Sequence, residues 1–300
     1  MADPDRDRWL AKVRADPLWL FRQLWPNEKL WSMQEQVVLS VFNNRYTSVK
    51  AANGVGKSFI AGRIVPAFML AWPGCEVVTT ATTWDQVEKV LWKEIRDAHQ
   101  RSAIPIGGKL LDTELKLNNS GWIAYGLSTN KRESFLGHHS NPILVVEDEA
   151  SGIDPMIDEG TRSIITSDGS RLLKIGNPID PVGHFFDSFK PGSLFNTFSI
   201  SAFDSPNFTA FGITETDILN GTWQDKITGA LPYPQLPSPQ WVADRLQEYG
   251  ADSGWYQCFV KGEFPQQSAD SLISWTRLMS AADSGGVVSS SFVSWLSLEP

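Results

Sequence analysis

The chain has 300 residues, 42% of them hydrophobic, enough for a large core and one or two domains. Arg63 interrupts the apolar stretch from Ile60 to Trp72, no apolar run reaches membrane-spanning length, and the charged N-terminus carries no apolar signal segment. The net charge of −8 is uneven: residues 1–150 carry 18 Lys and Arg against 17 Asp and Glu, and residues 151–300 carry 8 against 17, so composition lacks the basic footprint of a nucleic-acid binder.

Asp16-Pro17 has the form of a helix N-cap with proline at the first helical position. Leu18, Phe21, Leu24 and Trp25 then fall on one helical stripe, which Pro26 stops. Trp31-Ser32-Met33-Gln34 leads into another helix carrying Val37, Val38, Val41 and Phe42. The tryptophans Trp9, Trp19, Trp25 and Trp31 are read as core packing rather than a base-stacking stripe. Gln34 has two readings. Its amide both donates and accepts, as an adenine edge requires, or it is an ordinary helix-surface glutamine.

Tyr46-Thr47-Ser48-Val49-Lys50-Ala51 reads as a strand, and Ser58 to Trp72 as a helix with Pro66 as a kink. Between them, Ala51-Ala52-Asn53-Gly54-Val55-Gly56-Lys57-Ser58 has the shape G-x-x-x-x-G-K-[ST], with Ala51 where the first glycine usually stands. In such a loop the backbone N–H groups of Asn53, Gly54, Val55 and Gly56 curl around phosphates, at the positive end of the following helix. Lys57 reaches the β- and γ-phosphates of ATP, and the Ser58 hydroxyl ligates Mg²⁺. A polar turn before a helix is the plainer reading of Gly-Lys-Ser alone; the strand–loop–helix context weighs against it.

Glu76–Ala81 reads as the next strand. Thr83-Trp84-Asp85-Gln86 resembles a capping box, opening a helix with Val87, Val90, Leu91 and Ile95 inward. Leu115–Leu117 and Trp122–Tyr125, joined through Asn118-Asn119-Ser120-Gly121, read as a hairpin. Lys131-Arg132 follow in a loop, where Arg132 either faces a neighbouring subunit's γ-phosphate or is a solvated charge. His138-His139 lacks metal-ligand spacing, and Cys75 and Cys258 suit a reducing compartment.

Ile143-Leu144-Val145-Val146 is a buried-looking strand that delivers Glu147-Asp148-Glu149 at its C-terminal end, where ligands bind in open α/β sheets. A buried carboxylate is costly unless paired or bound to metal. Asp148 is the candidate Mg²⁺ ligand and Glu149 the candidate to polarise an attacking water; the register Glu147 with Asp148 is the alternative. Strand alternation would put Glu147 and Glu149 on one face and Asp148 on the other. Arg171–Ile175 is a further strand ending in Gly176-Asn177-Pro178, with Asn177 placed to sense a γ-phosphate. Phe195–Ile200 is another strand, 205–240 a Pro/Gly/Thr-rich loop or linker, and Trp241–Tyr249 a short helix. The Ser/Gly-rich stretch 278–300 contains no Lys or Arg.

In this order the pieces resemble a bacteriophage terminase large subunit, over roughly residues 10–275. The resemblance rests on Gln34, Gly56-Lys57-Ser58, the run Val145 to Ile153 with Asp148-Glu149-Ala150-Ser151-Gly152-Ile153 as its specific part, Gly176-Asn177-Pro178, Ser199 to Asn207, and Gly262-Glu263-Phe264-Pro265. It implies an α/β P-loop NTPase of the additional-strand, catalytic-glutamate subclass, with a mostly parallel sheet flanked by helices. It implies adenine contact by Gln34, Mg²⁺ at Ser58 and Asp148, catalysis by Glu149, and coupling near Asn177. The implied partners are double-stranded DNA, a portal protein, a small terminase subunit and further copies in a homo-oligomeric ring, in the cytoplasm of a bacterial host and without a membrane.

The expected organisation is a helical region at 1–42, an ATPase core at 43–204, a lid or linker at 205–265 and a tail at 266–300. Family members continue into a ribonuclease H-like nuclease, whereas 35 residues follow Pro265, short for a domain of the usual ~50–250 residues. Asp270, Asp283 and Glu299 make no credible two-metal cluster, so the expectation is a motor half without a nuclease. A helicase-like ATPase and a non-catalytic prophage remnant are the rival readings.

Overall fold

The computed structural model describes residues 4–117, 121–127 and 142–266. Asp16 caps the second helix as its position before Pro17 requires, its carboxylate accepting the Trp19 N–H at 2.9 Å. The N-terminal helices are α1 (Pro4–Ala15), α2 (Pro17–Leu24) and α3 (Ser32–Asn43). Helix α1, for which the periodicity gives no signal, buries Val13 alone. Trp25 and Trp31 are buried in the core. Trp9 is exposed, contrary to the core reading, because α1 is polar almost all round. Lys12 lies over the Trp19 ring at 3.7 Å.

Strand β1 (Tyr46–Ala51) runs through the glycine-containing loop into α4 (Lys57–Ala71), which continues past Pro66. Arg63, buried in α4, is held by Glu28 at 2.5 Å and Glu94 at 3.3 Å, so its charge is compensated. Strand β2 (Glu76–Thr80) is followed by α5 (Trp84–Gln86), a π-turn over Val87–Leu91, and α6 (Trp92–Arg101). Thr83 and Gln86 form the expected capping box. Val87, Leu91 and Ile95 are inward, but Val90 is 45% exposed. The π-turn is the reason: its widened ladder inserts a residue and rotates Val90 off the buried face.

Next come β3 (Lys109–Leu110), β4 (Glu114–Lys116), β5 (Ile123–Gly126), β6 (Ile143–Asp148), α7 (Pro155–Ser163), β7 (Arg171–Gly176), α8 (Gly183–Asp187) and β8 (Asn196–Ile200). The chain then forms α9 (Pro206–Thr209), α10 (Glu215–Asn220), α11 (Pro239–Tyr249) and α12 (Gly254–Phe259). The sheet order is β3-β4-β5-β2-β6-β7-β1-β8. From β5 to β8 the pairing is parallel, while β3, β4 and β5 pair antiparallel at one edge, with β4–β5 the expected hairpin. Central strands β2 and β6 are buried throughout; Ile143–Val146 accordingly reads as a continuous apolar run, while in β2 the buried Thr79 and Thr80 hydroxyls donate to the carbonyls of Tyr125 and Leu127. Strand β7 lies between β1 and β6 in a register that pairs Ile175 with both Val49 and Asp148, so the three strands end level.

Residues 205–240 are not a simple linker. Phe208, Ile213, Ile218, Trp223 and Leu236 are buried in the main core. Asn207 organises the segment: its amide donates to the carbonyls of Tyr233 (2.8 Å), Leu236 (3.2 Å) and Pro237 (3.1 Å) and accepts from the Tyr233 N–H (2.9 Å). Gly and Pro content hid this, because one buried side chain anchors the turns between short helices. Among the described residues no helix is long and apolar enough to cross a membrane. Arg132, His138, His139, most of the 118–121 turn and the tail carrying Asp270, Asp283 and Glu299 lie outside the described residues.

Candidate nucleotide site

The level ends of β1, β7 and β6 bring the two motif strings together at the C-terminal edge of the sheet. In the loop, Gly54 and Gly56 have φ of +70° and +89°, a region open to glycine at little steric penalty. The Gln34 side chain packs directly on Gly56, its Nε2 occupying the space a Cβ there would take. Gln34 is therefore not on the helix surface: it is buried against the loop, and its Oε1 accepts the Trp31 N–H at 3.4 Å. Lys57 opens α4, and its ammonium donates to the Ala52 carbonyl at 2.9 Å.

Ser58 Oγ donates to Asp148 Oδ2 at 3.4 Å, and Asp148 Oδ1 accepts the Glu149 N–H at 3.1 Å. Asp148 is 1% exposed. Burial and the neighbouring Glu149 push its carboxyl up to about 7, against the pull of Lys57. The Lys57 ammonium is lowered by burial and held up by Glu149 and Asp148. Glu149 is the one non-glycine residue with positive φ among the described residues, at +51°. Strand β6 ends at Asp148, so this left-handed residue departs from strand alternation, and its charge acts on Lys57 and Asp148. The expectation that Glu149 shares a face with Glu147 is corrected accordingly.

Glu147 belongs to a separate cluster, reached from β6 in the direction opposite to Asp148. It is fully buried, accepts from Thr161 Oγ1 at 2.5 Å, and lies 3.9 Å from the Lys174 ammonium. Lys174 also pairs with Asp158, and His184 sits 3.4 Å from Asp158. The alternative register, Glu147 acting with Asp148, is not assembled in this geometry.

Asn177, at the end of β7, donates through Nδ2 to the Ala51 carbonyl at 2.7 Å, and its own carbonyl accepts from Ser151 Oγ at 2.6 Å. It ties the start of the loop to the turn after β6. A contribution the motifs do not show comes from the far end of the chain. Asn53 N–H donates to the Phe259 carbonyl at 2.8 Å, and a Cβ on Gly54 would come within 3.3 Å of Pro237.

The donor set fits the groups it is expected to hold. Ser58 and Asp148 offer adjacent hard oxygen atoms of the kind Mg²⁺ prefers. The positive-φ glycines, the N-terminus of a 15-residue helix and Lys57 make a cradle for phosphate.

A phosphate loop on β1, acids at the end of β6 and an added strand between the two define the P-loop NTPase fold of the additional-strand subclass. No protein-family model matches the chain. It is 24% identical to the "Probable terminase, large subunit" of Enterobacteria phage P7, a match covering 91% of this chain and 53% of that protein. The chain thus spans about half the length of the curated relative it matches. Among solved structures it is similar to the large terminase ATPase domain of Thermus phage P74-26, at 15% identity and TM-score 0.55, covering 81% of this chain and 97% of that one. It is also similar to the large terminase of a thermophilic bacteriophage, at 13% identity and TM-score 0.53, covering 79% of this chain and 54% of that one. That second terminase in complex with ADP matches at 14% identity and TM-score 0.52, with the same coverage. The resemblance to bacteriophage terminase large subunits is borne out, and the fold is that of their ATPase domains.

Proposed function

We propose that the chain hydrolyses ATP to drive double-stranded DNA into a procapsid, as the motor part of a terminase large subunit. The observation that carries this reading is the convergence of Lys57, Ser58, Asp148 and Glu149 at one sheet edge. The loop N–H groups of Gly54 to Gly56 and the Lys57 ammonium bind the phosphates and neutralise charge that builds on the β- and γ-oxygens, while Asn53, its N–H taken by the Phe259 carbonyl, sets the shape of the loop. Ser58 and Asp148 would hold Mg²⁺, which supplies further positive charge at those oxygens. Glu149, freed from the strand by its left-handed backbone, orients and polarises the attacking water. Gln34 contacts the adenine edge, Asn177 couples loop geometry to the state of the γ-phosphate, and residues 205–265 act as a lid.

The finer partners follow from the same reading. A single near-neutral to acidic subunit offers little field to hold a polyanion, so the motor works as a ring that gathers local basic patches around one duplex. Arg132 acts in trans on a neighbour's γ-phosphate, with a portal protein and a small terminase subunit completing the assembly in the host cytoplasm. The test is turnover of Mg-ATP by the purified chain, with DNA, against protein concentration and with or without portal. Specific activity rises with assembly, and Arg132→Ala blunts the rise while leaving ATP binding intact. Unwinding of a forked duplex without portal would favour a helicase-like ATPase. Nucleotide binding with no turnover would favour a non-catalytic remnant.

A further inference from the structure

The segment after α12, Gly262-Glu263-Phe264-Pro265, takes no part in the chemistry above, yet it lies against the strand that carries the phosphate loop. Lys50, one residue before the loop and 7% exposed, forms an ion pair with Glu263. A buried ammonium of this kind is costly to leave without its partner. Gly262 has φ of +65°, and a Cβ there would run into the Ile200 carbonyl and come within 3.0 Å of the Ala52 nitrogen. That nitrogen donates to the same Ile200 carbonyl at 2.8 Å. The adjoining backbone is stitched in turn: Asn53 N–H to the Phe259 carbonyl at 2.8 Å, and Ala202 N–H to the Val260 carbonyl at 2.9 Å. Phe264 anchors the end by edge contacts with Phe186 at 4.9 Å and Phe189 at 5.6 Å.

Glycine is thus required at position 262, and Glu263 is placed to pair with Lys50. Glycine is required because L side chains rarely adopt this backbone and because backbone atoms of β8 and the loop leave no room for a Cβ. Glu263 supplies the counter-charge to Lys50. These demands act on the loop itself, since the segment holds the Asn53 N–H through the Phe259 carbonyl and packs Gly262 against the Ala52 nitrogen.

We propose that residues 254–265 form a latch on the phosphate loop: docking of this segment sets the geometry in which the loop binds phosphate, and bound nucleotide in turn tightens the docking. The proposal rests on the reading of the loop as a nucleotide site. Reciprocity is a thermodynamic requirement, because whatever factor docking adds to nucleotide affinity, nucleotide adds to docking.

The experiment titrates the whole chain with a fluorescent ADP analogue and follows amide hydrogen exchange of residues 254–265 and of Ala202. In the wild type, saturating ADP slows exchange in both places. Glu263→Gln and Gly262→Ala weaken ADP binding by about tenfold, within the usual range of coupling factors, and erase the ADP-induced slowing. Asp16→Ala, which removes the N-cap of α2 far from the loop, serves as a destabilised control and leaves affinity unchanged. The Glu263 side chain is about half exposed, so Glu263→Gln carries the test if Gly262→Ala does not fold. Wild-type binding with variant affinities within about twofold, or a loss that Asp16→Ala reproduces at equal melting temperature, overturns the latch. Absence of ADP binding by the wild type overturns the nucleotide reading itself, and the latch with it.

Discussion

The side-chain amide of Asn177 donates to the main-chain carbonyl of Ala51 at 2.7 Å, joining the end of β7 to the first residue of the phosphate loop. Both groups are buried. Asn177→Ala leaves the carbonyl without this donor and lowers stability by about 1–3 kcal/mol. Urea unfolding measures it. A change below about 0.5 kcal/mol would mean that the carbonyl finds another donor and that the bond does not organise the loop.

Lys57 is the one cationic side chain in the loop. Lys57→Ala lowers steady-state ATP turnover by more than tenfold, or more than about 1.4 kcal/mol of transition-state stabilisation. A variant that keeps a tenth or more of the wild-type rate would remove the loop from the mechanism.

The three consecutive acids separate by phenotype. Glu149→Gln binds Mg-ATP normally and turns it over at least about a hundredfold more slowly, since orienting water is felt mainly in the transition state. Asp148→Asn loses the Mg²⁺ dependence of binding. Glu147→Gln keeps both, because Glu147 is bound up with Thr161 and Lys174 away from the loop. Binding and single-turnover measurements on the three variants distinguish these outcomes, and a turnover defect confined to Glu147→Gln would shift the register.

Asp148 sets a pH dependence. Its carboxyl is pushed from 3.8 up to about 7 by burial and by Glu149. Between those values the folded, metal-free protein holds a proton that the unfolded chain does not, so this group's contribution makes stability fall as pH rises through that window. Mg²⁺ needs the carboxylate, so Mg²⁺-dependent nucleotide affinity falls by up to about tenfold per unit as pH drops below 7. Calorimetric titrations from pH 5.5 to 8 check the slope, and Asp148→Asn flattens it. A wild-type profile as flat as that of the variant would contradict the assignment.

Lys174 is fully buried between Glu147 and Asp158. Lys174→Met leaves two buried carboxylates without their cation and costs about 3–5 kcal/mol, read by chemical denaturation. A loss under about 1 kcal/mol would indicate that the cluster is neutral before the substitution.

Much of the site was legible along the chain because its signals are local. The strand 46–51, the glycines of the loop, Lys57-Ser58 and the helix behind them are neighbours in sequence, and the hydrophobic run 143–146 announces a strand buried on both faces. The Thr83 capping box and the Asp16 cap were readable for the same reason. Val90 was misread because a π-turn leaves no mark on the pattern of residue types. The buried anchoring of 205–240 was hidden in turn-rich composition, since Asn207 makes its bonds to residues 26 to 30 positions away.

The inventory belongs to the chain alone: a phosphate loop, a strand ending in three acids, a polar amide after the next strand, and a glycine-glutamate pair near residue 262. Which of these meet is settled by folding. Parallel pairing of β7 between β1 and β6 levels three strand ends and brings Ser58 to Asp148 across 90 residues of chain. The left-handed backbone at Glu149 turns one acid away from its strand, while alternation sends Glu147 to another cluster. The return of the chain after α12 places Glu263 beside Lys50, 213 positions earlier. Periodicity reports how a residue sits on its own element, and none of these long-range pairings is a property of a single element.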